Sequence, residues 1–359
     1  MTSRLLIYGA SGFTGRLLVA RACARGVDTI VAGRSQERLE SIAHGSGGCR
    51  VVSLEDPTGL DAALSDIDVV INAAGPFIHT ARPLVEAGLR TGTHYLDVTG
   101  ELSVFQQLHR CDGTAREAGV MVMPGVGFVV TASDCLAAHV AERMPEACRL
   151  RIALSHTGLV SRGSHATMLG MMRECVSVRR GTRLCAVPAG QLERGFDYGN
   201  GERLSTAVSW ADVFTAYHTT SIPNIEVYIE AGAMARTLYQ LTSYFSELLR
   251  VAPVQKLLEL QGRILPEGPS EEQRAAAPRV IVAEAEDRYR RCVEARLHTP
   301  DGYSFTALSA IAIAERVLAG DVLVGFQTPA GVFGADFVLS LPGVRRDDAT
   351  RDYRSDHNL

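Results

Sequence analysis

The hydrophobic positions of the first 130 residues follow two alternating patterns. Short, largely apolar runs occur at Arg4–Tyr8, Thr29–Ala32, Arg50–Ser53, Asp68–Ile71, Thr93–Val98 and Val120–Met123. Each is long enough for a buried strand and too short for a helix. Between them lie stretches with helical spacing: one over Leu17–Ala22, then Ser35–Ala43, Pro83–Thr91 and Phe105–Ala118. Strands that are largely apolar and alternate with helices predict a parallel, doubly wound α/β sheet. From about Ala147 the pattern changes, and Leu150–His156 alternates apolar with polar residues, as in an antiparallel or mixed sheet with one face exposed. Ala166–Val178 reads as a helix, Ile225–Ile229 as a strand, and Val280–Ala285 with Val293–Leu297 as a hairpin-like pair. Met234, Leu238, Leu241, Phe245 and Leu248 form an apolar helical stripe, continued by Leu257, Leu258 and Leu260. Pro266–Pro278 reads as an exposed linker, and Phe305–Leu318 as a long apolar helix.

The first run leads directly into Gly9-Ala10-Ser11-Gly12-Phe13-Thr14-Gly15 and then a helix. Strand, glycine turn and helix make the layout of a dinucleotide-binding crossover, here as G-x-x-G-x-x-G. Gly9 permits a tight turn, Gly12 leaves room for a pyrophosphate, and Gly15 lets helix and strand pack closely. Ser11, Phe13 and Thr14 complete the predicted phosphate-binding turn. About 20 residues further on, NAD-binding chains carry an acid for the ribose 2′-hydroxyl. This chain has Arg34 and Ser35 there, a cation and a hydroxyl suited to a 2′-phosphate, so NADPH is the expected cofactor. The alternative is that Arg34 only precedes a helix. Asp56 either lies beside the adenine or begins the next turn. The small-residue turn Ala73-Ala74-Gly75-Pro76 brings backbone toward the nicotinamide ribose.

Composition narrows the field. The chain has 359 residues, 46% of them hydrophobic, and a net charge of −4, which argues against nucleic acid as a partner. None of the eight cysteines forms a C-x-x-C pair, so neither a zinc site nor a thioredoxin-type centre is expected. Scattered cysteines read as reduced thiols of a cytoplasmic protein. No signal peptide or transmembrane stretch is evident.

The segments GASGFTG, AGRS, NAAGPF, THYLDVTGE, SIPNIEVY and GFQTPAGVFGADFVL together resemble the saccharopine dehydrogenase-like NADP-binding reductases, including the trans-acting enoyl reductase branch. The resemblance implies an N-terminal Rossmann domain, a second mixed-sheet α/β domain and a C-terminal return to the first. The expected boundaries are 1–130, 131–300 and 301–345, with a frayed tail at 346–359. One motif departs from the family. Where relatives commonly have G-F-D-x-V-P-[ST]-D, this chain has Gly127-Phe128-Val129-Val130-Thr131-Ala132-Ser133-Asp134. A carboxylate is replaced by Val129.

The leading expectation is an NADPH-dependent reductase of an activated C=C bond, with C=N reduction as the alternative. Tyr95, Asp97, Thr99 and His218 are the candidates for supplying a proton or polarising the electrophile. A lone histidine is more often structural, and Asp97 could simply cap a turn. Phe77, Val129, Arg162 and Trp210 are expected to line the substrate site. Arg162, in the 161–165 turn, suits a carboxylate or a carrier phosphate, or is a plain surface arginine. Met168, Met171 and Met172 read as core or substrate wall. The substrate would be a small molecule, a carrier-bound or CoA acyl group being one option, and Val129 favours a neutral acyl or alkyl group over an amino-acid ammonium. The apolar stripe at 234–260 reads as core packing or a homodimer seam, with an acyl-chain wall or a membrane-facing surface as the alternative. A non-catalytic NADPH-binding regulator and a lipid-associated protein are the competing classes.

Overall fold

The computed structural model describes residues 3–43, 45–155, 161–163, 175–232 and 267–351. The chain forms two compact units, one of Met1–Thr131 with Gly302–Val332, the other of Ala132–Asp301 with Phe333–Leu359. Strands are numbered along the chain.

The first unit contains β1 (Leu5–Tyr8), β2 (Thr29–Gly33), β3 (Cys49–Val51), β4 (Val69–Asn72), β5 (His94–Asp97), β6 (Met121–Met123) and β15 (Gly325–Phe326). All pairings are parallel, in the order β15-β6-β5-β4-β1-β2-β3. This is the doubly wound Rossmann arrangement, whose order reverses between β1 and β4. Every residue of β1 and β4 is buried, as expected for strands covered on both faces. Glycines in the left-handed conformation end two of the helices, Gly26 after Phe13–Arg25 and Gly92 after Phe77–Thr91. The second of these helices begins six residues before the expected Pro83, which lies inside it. The expected Phe105–Ala118 helix is two helices, Leu102–His109 and Asp112–Glu117.

The second unit carries β7 (Arg149–Leu154), β8 (Val176–Arg180), β9 (Arg183–Val187), β10 (Glu193–Asp197), β11 (Glu202–Ala207), β12 (Asn224–Glu230), β13 (Arg279–Glu286), β14 (Cys292–Thr299) and β16 (Arg345–Arg351). The sheet runs β10-β11-β12-β7-β13-β14-β16, with β8 paired to β12 and β9. It is mixed, because β7 and β12 are parallel and β7 and β13 antiparallel. The helix Ser133–Arg143 packs on β7, β13 and β14.

Several expectations change here. In the polar, aromatic stretch 210–221, Asp212–Thr220 is a helix burying Asp212, Val213, Thr215 and Ala216. Burial along one helical face overrides the weak propensities of Thr, His and Tyr. Val176–Val178 belongs to β8 rather than to a helix. The linker contains a short helix, Glu271–Ala275, started by a Ser270/Gln273 capping box. The expected return to the first unit ends at Val332, not at 345. The charged tail is ordered as far as β16, which pairs with β14. Its charges are partnered rather than merely solvated: Asp348 Oδ1 lies 2.7 Å from His139 Nε2 and 3.2 Å from Arg143. The expected methionine-bearing helix from Ala166 and the stripe from Met234 to Leu260 lie outside the described residues, apart from Cys175 and the start of β8. Among the described residues no helix is long and apolar enough to cross a membrane.

Candidate cofactor site and the frame beneath it

The site in the first unit is built on the turn after β1. Gly9 has φ of +79°, and a Cβ there would stand 2.7 Å from the amide nitrogen of Ala74, so the turns after β1 and β4 touch. A Cβ on Gly15 would stand 2.3 Å from the Gly9 carbonyl oxygen. Gly12 differs: a Cβ would meet only that same oxygen, at 3.3 Å, and otherwise open space. Gly12 caps the helix Phe13–Arg25 in extended conformation, with no side-chain cap and no acid in the first turn. Such an end offers amide donors and the positive end of the helix dipole to an anion. Arg16, which the sequence reading passed over, donates from Nη1 to the Ser11 carbonyl at 2.8 Å and braces the turn.

At the end of β2, Arg34 is exposed, and among the described residues no acid pairs with it. Ser35 is the N-cap residue of the helix Gln36–Glu40, yet its hydroxyl makes no capping bond. Burial raises the Tyr8 phenol above its ordinary pKa, while the nearby Arg34 charge opposes that rise. Asp56 does begin the next turn: it caps Pro57–Leu64 by accepting from the Gly59 amide at 2.9 Å.

The carboxyl ends of β4, β5 and β6 are joined by a buried polar frame. Asn72 accepts from the Ala74 amide at 3.0 Å and donates to Thr80 and to the Tyr95 hydroxyl. Tyr95 donates to Asp97 Oδ2 at 2.9 Å. Asp97 Oδ1 accepts from the Thr99 and Gly125 amides at 3.0 and 2.9 Å. Thr99 Oγ1 accepts from the Glu101 amide, and the Glu101 carboxylate accepts from the Phe77 and Ile78 amides. That last pair satisfies the start of the helix Phe77–Thr91, which explains a beginning ahead of Pro83. Burial pushes the Asp97 carboxyl up to about 7 despite its three donors. It also pushes the Tyr95 phenol well above its ordinary range.

Tyr95 and Asp97 are each 0% exposed and Thr99 is 1% exposed. These three candidates are brought together, but as a frame whose polar atoms serve one another. A side chain with no open surface holds the turns in place and does not touch a substrate in this arrangement. Ala73, Ala74 and Phe77 are half-buried, while Gly75 and Pro76, joined by a cis peptide bond, are exposed. Val129 is half-buried in the turn after β6. Its neighbour Val130 is buried with φ of 137° and ψ of −61°, strained for a β-branched residue. The segment is held by Thr131 Oγ1 donating to Gly125 O, Phe128 N donating to Thr306 Oγ1, and Ser309 Oγ donating to Val126 O.

The remaining candidates belong to the second unit. Arg162 is exposed, Trp210 is half-buried just before the helix Asp212–Thr220, and His218 is exposed on that helix. Beneath the helix, Thr219 donates to the buried Asp134 at 2.7 Å, and burial raises the Asp212 carboxyl.

The family model described as the saccharopine dehydrogenase NADP binding domain matches residues 5–123, from the first residue of β1 to the last of β6. Over these residues the chain is similar to that family. The match supports binding of NADP(H) by this part of the chain. The geometry of the glycine turn and Arg34 fits: Gly12 leaves the approach to the helix end open, and Arg34 is a cation without a partner acid among the described residues. A saccharopine dehydrogenase-like oxidoreductase of Mus musculus is 26% identical over 145 residues, 34% of each chain. A trans-acting enoyl reductase of Mycobacterium leprae is 33% identical over 141 residues, 36% of this chain and 33% of the relative. The chain thus spans about a third of the length of these curated relatives. Saccharopine dehydrogenase (L-Glu forming) of Saccharomyces cerevisiae superposes with a TM-score of 0.66 over 97% of this chain and 100% of that one, at 13% identity. That likeness establishes the shared fold, with the second, mixed-sheet unit following the NADP-binding domain.

Proposed function

We propose that this protein is an NADPH-dependent reductase acting on a C=C bond conjugated to the carbonyl of an acyl substrate. When bound, the reduced nicotinamide supplies a hydride. The chain's task is to hold and orient. The glycine turn and its helix end carry the pyrophosphate, and Arg34 with Ser35 carries the 2′-phosphate. Asn72 and Glu101 fix the turn Ala73–Pro76 against which the nicotinamide ribose would rest.

One observation carries the choice of substrate class. The turn after β6, Gly125–Thr131, has no ionisable side chain, and Val129 in it is half-buried. An amino-acid ammonium would find no carboxylate there, whereas an acyl or alkyl group would find apolar contact. The match to a trans-acting enoyl reductase over 36% of this chain supports the same reading. Of the four candidate proton donors, Tyr95, Asp97 and Thr99 are enclosed, and His218 is exposed on a helix of the second unit. The test is NADPH oxidation by the full chain, with an enoyl thioester series beside an aldehyde-plus-amino-acid series. Turnover of the thioesters supports the proposal. Turnover of the second series alone replaces it with imine reduction, and turnover of neither favours a non-catalytic NADPH-binding protein.

A further inference from the structure

The glycine turn is not supported by its own sequence neighbourhood alone. The Phe13 ring, between Gly12 and Thr14, meets the Tyr303 ring edge-on, with centroids 5.1 Å apart and planes at 90°. Tyr303 lies in the first turn of the helix Gly302–Leu318, which reaches the first unit only after the chain has built most of the second. At the other end of the two helices, Arg25 Nε donates to Glu315 at 2.9 Å. Phe13 to Arg25 and Tyr303 to Glu315 are both twelve residues, so the helices run parallel and in register over about 18 Å. Their starts lie side by side, at the end of the unit where the glycine turn receives the cofactor.

We propose that Tyr303 is a positioning residue for NADP(H): its ring fixes Phe13, and through Phe13 the backbone of the phosphate-binding turn. The geometry gives the reason. Phe13 is the first helical residue after Gly12, which is in ordinary extended conformation. Behind the turn, the Gly9 and Ala10 amides donate to the Ala32 carbonyl, the Gly12 amide donates to the Gly9 carbonyl, Gly15 packs on Gly9 and Arg16 donates to the Ser11 carbonyl. On the front, at the residue following the pyrophosphate glycine, the ring contact with Tyr303 adds a restraint from the helix Gly302–Leu318. An edge-on aromatic pair prefers one relative orientation and so restricts Phe13 more than aliphatic packing would. A turn already held in its binding conformation loses less entropy when the cofactor arrives.

The inference rests on the NADP(H) assignment and concerns affinity, not chemistry. It is tested by titrating the full-length protein with NADPH, following nicotinamide fluorescence, in the wild type and in Tyr303→Phe, Tyr303→Leu and Tyr303→Ala. Far-UV circular dichroism checks the fold of each. Tyr303→Ala is expected to bind about three- to tenfold more weakly, the range expected from losing one aromatic pair. Tyr303→Leu should be intermediate, and Tyr303→Phe, which keeps the ring, within about twofold of wild type. Once a substrate is in hand, KM for NADPH should rise in Tyr303→Ala while kcat stays unchanged. Wild-type affinity in a folded Tyr303→Ala would overturn the proposal. So would a Tyr303→Phe as weak as Tyr303→Ala, because the hydroxyl rather than the ring would then be acting. If Tyr303→Ala does not fold, the comparison of Tyr303→Leu with Tyr303→Phe decides, and equal affinities overturn the proposal. A wild type that fails to bind NADPH would instead refute the cofactor assignment.

Discussion

Asp97 should make the first unit less stable as the pH rises from acid to neutral, and Asp97→Asn should abolish that trend. In the folded protein its carboxyl is fully buried and titrates near 7, against 3.8 ordinarily. Between those values the folded state keeps a proton that the unfolded chain has released. Stability therefore falls with increasing pH across this window, the reverse of a carboxylate held in an ion pair. A rise of about three units corresponds to about 4 kcal/mol. This is an upper limit, because relaxation and water entry reduce the cost of an ionised buried group. Asparagine keeps the size and an oxygen for the Thr99 and Gly125 amides, and stays neutral throughout. The assay is urea unfolding of both proteins at pH values from about 4.5 to 8.5, where most of the change should fall. Far-UV circular dichroism follows the transition that NADPH shifts. Trp210, the only tryptophan and a residue of the second unit, reports separately on that unit by fluorescence. The stability difference should grow in favour of asparagine as the pH rises. A difference that stays constant over the whole range would refute the reasoning, and Asp97 would then be ionised in the fold.

Arg34→Ala should reduce NADPH affinity by about one to two decades and leave NADH unchanged, because one charge-assisted contact is worth about 1.5–3 kcal/mol. Calorimetric titration with both cofactors checks this, and equal losses for the two would contradict it. Gly12→Val should fold, since a Cβ there meets only one oxygen, but should lose the thermal protection that NADPH gives the wild type. Gly15→Ala should instead lower stability itself by several kcal/mol, because its Cβ would stand 2.3 Å from the Gly9 oxygen, with backbone on both sides of the clash. Thermal unfolding with and without NADPH separates these two glycine variants.

The Rossmann strands, the glycine turn and the substitution of Arg34 for an acid were legible because each is a local pattern with a local cause. The apolar runs at Leu5–Tyr8 and Val69–Asn72 can only be strands covered on both faces. The frame around Asp97 was half legible. The run THYLDVTGE marked the right place, but alternation alone does not show that Tyr95 and Asp97 point at each other rather than outward. Glu101 and Asn72 act through partners 23 and 24 residues away in the chain, which no local spacing reveals. The helix Asp212–Thr220 was missed because its sequence is a poor helix former and only burial selects the conformation. The charged strand β16 was missed for a related reason, since its Asp348 finds its partners on a helix some 200 residues earlier.

The helix Gly302–Leu318 and strand β15 have a bearing on how the protein is made. During synthesis the first 131 residues emerge together, yet their fold must wait for a segment that leaves the ribosome about 170 residues later. At about 5–20 residues per second that delay lasts roughly ten to thirty seconds. Until then the sheet lacks the helix whose Phe305, Ala310, Ile311 and Ile313 lie in its core, and β6 lacks its outer neighbour. Apolar surface and an unpaired strand stand open throughout that interval. A nascent chain stopped anywhere in the second unit would carry a glycine turn that looks complete in sequence but has no Tyr303 to hold it. Cofactor capture would then wait until the helix Gly302–Leu318 has emerged, and the cofactor would stabilise chains that carry it in preference to shorter ones.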